Sequence, residues 1–284
     1  MKTSVYPIVL FLLSIAGPAN AQDATTLPTG DNADSPELVF SAPPRETPTI
    51  GNKRYQPIAS YLSKVLGRKV VYKHPGTWGA YRTEMLQGDY DIVFDGPHFN
   101  SYRAEKMKYN ILAKIPVAHQ FVIIVNKSNT KTRTVQELAG QTFCTHAPPN
   151  LGTLSLLSHF QNPARQPAII NTRGWKNIYQ GVASGRCVGG ILPIANLSKY
   201  DQQLRHVRIL YKSDSIPNQA FSAGPRLSKT EQQRMARALV SDSATQPTSE
   251  LRAAYRVGDH FAPATNSEYK GVSEYLRNEW GYYE

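Results

Sequence analysis

The sequence predicts an α/β protein of two lobes, each a mainly parallel sheet flanked by helices, with a hinge of two crossover segments between them. Three observations lead there. Short β-rich runs alternate with helical stretches from residue 38 to residue 223, the alternation falls into two similar series, and a helical tail follows the second. Strands separated by helices imply parallel pairing with right-handed crossovers, because returning the chain to the same sheet edge in the same direction takes a connection of helix length.

In the first series, residues 38–41 (LVFS) read as a strand. Residues 53–66 (KRYQPIASYLSKVL) put Ile58, Leu62, Val65 and Leu66 on one helical face, and Gly67 supplies the stop. Residues 69–73 (KVVYK) form a strand, 78–87 a helix ended by Gly88, and 91–94 (DIVF) a strand. A helix over 99–107 and a strand over 110–114 complete the series. The second opens on residues 120–126 (QFVIIVN), a strong strand. Thr134 and Glu137 have capping-box spacing before a short helix that stops at Gly140. Strand 141–146, helix 151–160, strand 168–171, helix 175–184 and strands 187–192 and 207–211 follow, then an extended return over 218–223. A second capping box, Ser228 with Glu231, begins a helix to about residue 240, and residues 249–255 and 267–279 are also helical. The first lobe is therefore discontinuous, 37–118 with 220–284, and the second is 119–219. The chain crosses near 117–127 and 213–222.

The N-terminus reads as an address. Lys2 is a positive n-region, residues 5–16 (VYPIVLFLLSIA) are an apolar core, and Ala19 and Ala21 are the small residues a signal peptidase reads. The core is well short of the ~20 residues that span a bilayer. A signal peptide over 1–21, cleaved after Ala21, is expected, followed by a flexible leader over 22–36 and delivery to the periplasm. The net charge of +11 favours anionic partners through long-range steering. The basic residues are scattered, without a basic run, zinc-finger spacing or helix-turn-helix pattern, which argues against nucleic acid. Cys144 and Cys187 form either one disulfide, closing a loop of 43 residues, or two buried thiols.

Several stretches resemble a known family. Residues 54–63 (RYQPIASYLS) are similar to the first-helix "RYQPLADYLS" of phosphate/phosphite/phosphonate-binding proteins of ABC transporters. Residues 88–97 (GDYDIVFDGP) resemble that family's glycine-to-Gly-Pro segment, 185–190 (GRCVGG) its second-lobe glycine turn, and 216–218 (IPN) its return to the first lobe. The resemblance runs from about residue 38 to the C-terminus. It implies a type II periplasmic binding fold and a small, anionic ligand held in the cleft and handed to an inner-membrane ABC permease by a monomer.

That fold places the loops at the carboxyl ends of the strands around one cleft. One wall is Ser41 to Pro44, the next His74 to Trp78 with Thr77, the third Asp95 to Phe99 with Gly96 and His98. The second lobe contributes His146, Asn150, Thr153 and Trp175, and Asn218 lies in the return segment. The histidines suit hydrogen bonding to an oxyanion, although each can equally be an ordinary loop residue. Arg45 and Arg173 follow strand ends and could clamp an anion, or could simply be solvated. Pro148 and Pro149 stand where the family carries a hydroxyl-rich turn, and prolines have no N–H to offer. The acidic residue the family places after its glycine turn is replaced by residues 191–194 (ILPI), which argues against an aminoalkyl phosphonate. The ligand is therefore phosphonate-, phosphite- or phosphate-like, or another oxyanion or organic anion. No nucleophile elbow, phosphate loop, dinucleotide fingerprint or metal spacing is found, so neither an enzyme nor a metal or cofactor is expected. The alternative use of the same fold is a periplasmic sensor signalling to a histidine kinase.

Overall fold

The computed structural model describes Met1, residues 36–279 and residues 281–283. The signal peptide expected over 1–21, apart from Met1, and the leader expected over 22–36, apart from residue 36, lie outside these residues. The first series forms β1 (Leu38–Ser41), α1 (Pro48–Leu66), β2 (Val70–Tyr72), α2 (Trp78–Gln87), β3 (Ile92–Asp95), α3 (Pro97–Lys106) and β4 (Asn110–Lys114). The second forms β5 (Phe121–Asn126), β6 (Thr142–Thr145), α4 (Leu151–Leu157), β7 (Ala168–Asn171), α5 (Trp175–Ala183), β8 (Gly189–Pro193), α6 (Ile194–Tyr200) and β9 (Val207–Lys212). The chain then returns as β10 (Ala220–Ala223), α7 (Lys229–Leu239), α8 (Ser249–Tyr255), β11 (Ala262–Pro263) and α9 (Asn266–Tyr269).

The strands make two sheets, ordered β11-β4-β10-β3-β1-β2 and β7-β6-β8-β5-β9. Both are mixed rather than mainly parallel. The helix-connected strands pair in parallel as read, β2-β1-β3 in one sheet and β7-β6-β8 in the other. Strands next to the crossovers run the other way: β10 is antiparallel to β3 and β4, and β5 to β8 and β9. No helix separates β4 from β5 or β9 from β10, so nothing forces their directions to match.

β5 is buried on both faces, which its unbroken apolar run requires of an interior strand. Phe121, Ile123 and Val125 enter one core, and Val122 and Ile124 the other. The first sheet packs on α1, α7 and α8 through Leu38, Phe40, Ile58, Leu62, Phe94, Met235 and Leu251. The C-terminal helices thus complete the sheet that β1 began.

Several elements differ from their reading. α1 begins at Pro48, ahead of residue 53, because the Thr47 hydroxyl accepts the Ile50 N–H and Pro48 suits the first turn. The helix read over 267–279 is broken by Gly271 at φ 80°, leaving α9 and a 3-10 turn at Val272–Leu276. The segment after the first capping box is likewise a 3-10 turn, Val135–Leu138. α6 was not anticipated; it starts at Ile194, straight after Pro193.

The crossovers lie side by side. Ile115 N–H donates to Gln219 O at 2.9 Å, and His119 and Ile216 exchange backbone bonds at 2.7 and 2.9 Å. The Asn218 side-chain amide donates to Val117 O at 2.8 Å, and the Tyr269 hydroxyl donates to Asn218 O at 2.7 Å. Cys144 and Cys187 are joined as a disulfide with Cα atoms 5.7 Å apart, linking β6 to the turn after α5.

Candidate functional site

The carboxyl end of β3 carries a buried ionic cluster. Asp95 is fully buried and accepts from Arg103 Nη1 at 2.7 Å, Arg45 Nη2 at 3.2 Å, its neighbour Gly96 N–H at 2.6 Å and the Tyr81 hydroxyl. Arg103, also fully buried, sends Nη2 to the Tyr81 oxygen at 2.6 Å. α3 sits immediately beyond β3, so a residue two turns along the helix reaches back to its start. Asn100 fixes that relation, its amide donating to Asp95 O and Ala220 O at 2.8 and 3.0 Å. Two cations against one carboxylate leave the cluster one positive charge in excess.

Gly96 is the N-cap of α3 and has no side chain to cap it. Its own N–H is taken by Asp95, and Pro97 has none. The N–H groups of His98 and Phe99 have no acceptor within the helix and face the positive end of its dipole. A Cβ on Gly96 would lie 2.9 Å from His98 Cε1, 3.1 Å from His98 Nδ1 and 3.4 Å from Arg45 Nη2. A guanidinium, an imidazole and an uncapped helix N-terminus therefore crowd around Gly96, where the His98 ring leaves no room for a Cβ.

His98 is buried and its Nε2 bonds Pro149 O of the other lobe at 3.1 Å. Its Nδ1 is buried with no hydrogen-bond partner. Burial, partly offset by Asp95 and reinforced by Arg45, pushes the imidazole pKa down to about 4. The ring lies on Phe99, which in turn stacks on Trp78. In the other lobe, His146 meets the Trp175 ring edge-on, Trp175 leans on Phe121, and Phe121 meets His119 at the crossover. His119 is also pushed down to about 4, by burial first and then by Arg45. The lobes touch again where Leu154 of α4 joins Tyr81, Phe99, Leu276 and Tyr282 in one apolar cluster.

Of the residues singled out in the sequence, Gly96 and His98 meet at the start of α3, Trp78 packs behind His98 through Phe99, and His146 and Trp175 pack on each other in the other lobe. Pro44 is half-buried in the turn that positions Arg45, whose N–H bonds Pro43 O. The others are engaged elsewhere. The Ser41 hydroxyl donates to Lys73 O at 2.8 Å, and Thr77 caps α2 by accepting from Ala80 N–H. Both His74 nitrogens are occupied, Nδ1 by Gly76 N–H and Nε2 by Glu46 O, each at 3.0 Å. Asn150 caps α4 through Gly152 N–H, and Thr153 is buried between Thr145 Oγ1 and His146 O. Asn218 braces the crossovers. Arg173 is exposed beside α5.

The sequence reading placed Asp95 on the third wall without giving it a role, and left Arg103, Tyr81 and His119 out of the site. Asp95 was visible as the residue before Gly-Pro, but nothing local marks Arg103 as its partner, since a charged residue on a helix is usually a solvated one. His119 falls in a crossover whose backbone bonds are tertiary.

Residues 40–269 match the family described as ABC transporter, phosphonate, periplasmic substrate-binding protein. Among solved structures, PhnD1 from Prochlorococcus marinus in complex with methylphosphonate is similar at TM-score 0.60 and 17% identity, covering 85% of this chain and 97% of that one. A protein of Xanthomonas citri bound to ATP is similar at TM-score 0.66 and 11% identity, over 86% and 98%. The binding-protein component of an ABC phosphonate transporter from Pseudomonas aeruginosa is similar at 0.57 and 14%, over 82% and 83%. At these identities the likeness concerns the fold. No curated protein sequence matches the chain.

Proposed function

Because the chain belongs to the periplasmic substrate-binding proteins of phosphonate ABC transporters, we propose that it captures a small oxyanion at the Gly96 cradle and delivers it to an inner-membrane permease. The convergence of Arg45, His98 and the uncapped N-terminus of α3 over Gly96 carries this reading. The excess positive charge on the Asp95 cluster and the dipole of α3 both favour an anion there. With the pKa values of His98 and His119 both pushed down to about 4, Arg45 is the cation at this site at neutral pH.

Residues 37–118 with 220–284 act as one lobe and 119–219 as the other, turning about the paired crossovers at 117–127 and 213–222. Binding in such a fold is coupled to hinge closure. His146 and Trp175 form the opposing wall, braced from behind by Asn150 and Thr153, and Ser41, Pro44, His74, Thr77, Trp78 and Asn218 support the rim and hinge. The family is one of transport, which favours delivery to a permease over signalling to a histidine kinase, and ligand is released unchanged. Residues 1–21 support export with cleavage after Ala21, and the mature chain works as a monomer.

The test is Gly96→Ala. With φ at −67° the backbone itself accepts alanine, but the methyl would lie 2.9 Å from His98 Cε1 and push the ring aside. Isothermal titration with methylphosphonate should show affinity reduced by at least about tenfold, with the fold retained; unchanged affinity places the ligand elsewhere.

A further inference from the structure

We infer that the outer edge of the second sheet, where β7 runs beside α5, is a docking site for an extended, acidic polypeptide segment that joins the sheet as a further strand. This surface is separate from the Gly96 cradle and does not depend on it. β7 is an edge strand, paired only with β6 among the described strands. Ala168 and Thr172 donate their N–H groups to Gln141 O and Thr145 O at 2.9 and 2.8 Å. Successive residues of a strand turn their backbone groups to opposite sides, so Ile169 and Asn171 direct theirs to the open edge. Those N–H and C=O groups have no partner among the described residues. Such a row is a template for strand addition. The devices that blunt an edge are missing from β7 (AIIN), which carries no charge, no proline and no bulge. Ala168, Ile170 and Asn171 are exposed, Ile170 by 40%.

The groove beside this edge sets the chemistry of the guest. It holds about 760 Å³ between β7 and α5 and is lined by Ile170, Arg173, Asn177, Gln180, Ser184 and Arg186. Every second side chain of an added strand would stand over it. Arg186 rests Nη2 on Cys144 Sγ at 3.6 Å and makes no ion pair, and the Arg173 guanidinium has no partner among the described residues. No acidic side chain lines the groove. Residues 119–219 hold eleven Lys and Arg against three Asp and Glu, so the field around the groove is positive. Two of those acids are taken up by backbone N–H groups, Glu137 by Arg133 and Thr134, and Asp201 by Arg205, His206 and Val207. The cations of the groove therefore lack an internal counter-ion, and carboxylates on the groove side of the guest supply it.

The experiment is fluorescence anisotropy of the mature chain with labelled peptides of alternating Glu and Val. The Glu–Val peptide should bind at least about tenfold more tightly than its Lys–Val counterpart. Backbone N-methylation is then placed either on every Glu or on every Val. Only one of these sets faces β7, so one pattern should weaken binding by at least about tenfold and the other by less than about threefold. Arg173→Glu and Arg186→Glu should each weaken the unmethylated peptide by at least about fivefold; Arg173→Glu leaves the contact with Cys144 intact and so guards against a loss of fold in the other. Absence of saturable Glu–Val binding, equal binding of the Lys–Val peptide, or equal effects of the two methylation patterns overturns the inference. A dimer in sedimentation that the Glu–Val peptide dissociates would assign the edge to a second copy of the chain, and overturns it as well.

Discussion

Removing Arg103 tests whether the buried cluster at the end of β3 positions the cradle. Arg103 and Asp95 are both fully buried, 2.7 Å apart, and Asp95 keeps three further donors in Arg45, Tyr81 and Gly96. Taking one partner from a buried ion pair costs about 3–5 kcal/mol, chiefly because the remaining charge stays desolvated. Arg103→Met should fall near the lower end, about 3 kcal/mol, since Arg45 stands 3.2 Å from the same carboxylate and can turn further onto it. That rotation takes the cation away from Gly96. Methylphosphonate affinity should therefore drop although Arg103 is not on the cradle. Asp95→Asn should also cost several kcal/mol by leaving Arg103 buried and unmatched. Combined with Arg103→Met, it should cost at least about 2 kcal/mol less than the two single losses together. Urea unfolding of the four proteins measures the cycle. Additive losses, or a loss below about 1 kcal/mol for Arg103→Met, would refute an electrostatic cluster at this position.

Acid should weaken the fold through His98. Its folded pKa of about 4 lies below the ordinary 6.5, so the unfolded chain takes up the proton first. The contribution is complete above pH 6.5 and is lost as pH falls towards 4; a difference of 2.5 units (6.5 − 4) corresponds to about 3 kcal/mol. His119, lowered in the same direction, adds to the slope, and His98→Asn should flatten it in urea titrations between pH 6.5 and 4.5; an unchanged slope contradicts this. The disulfide closes 43 residues, worth about 4 kcal/mol in the chain-entropy description. A Cys144→Ala, Cys187→Ala double variant should lose stability on that scale yet bind methylphosphonate as before, because the bridge lies in the core beneath α5. A loss under 1 kcal/mol, measured by urea unfolding, would show the bridge to be incidental.

Most of the fold was legible because it follows from short-range pattern. The unbroken apolar run of β5, the glycine stops at Gly67 and Gly88 and the capping boxes at Ser228 and Thr134 each fix an element from a few residues. Strand direction beside the crossovers was not legible, since β5 and β10 follow connections that contain no helix. The site was half legible. Gly96 and His98 stand out beside the Gly-Pro turn, whereas Ser41, His74, Thr77 and Thr153 are polar residues after strands whose hydrogen bonds are satisfied locally. Sequence position marks a loop as near the cleft; it does not reveal which polar atoms caps and turns have already used. Cys144 and Cys187 show the same limit, their pairing depending on a Cα separation that only the packing of α5 on β6 determines.

Capture of an anion between the lobes is tested most directly by titrating the mature chain with methylphosphonate and with its uncharged dimethyl ester, which keeps the carbon–phosphorus skeleton and removes the charge and the acidic hydrogens. The expected result is saturable one-to-one binding of methylphosphonate and none of the ester. Equal binding of both, or binding of the ester alone, would contradict recognition by Arg45, His98 and the N-terminus of α3.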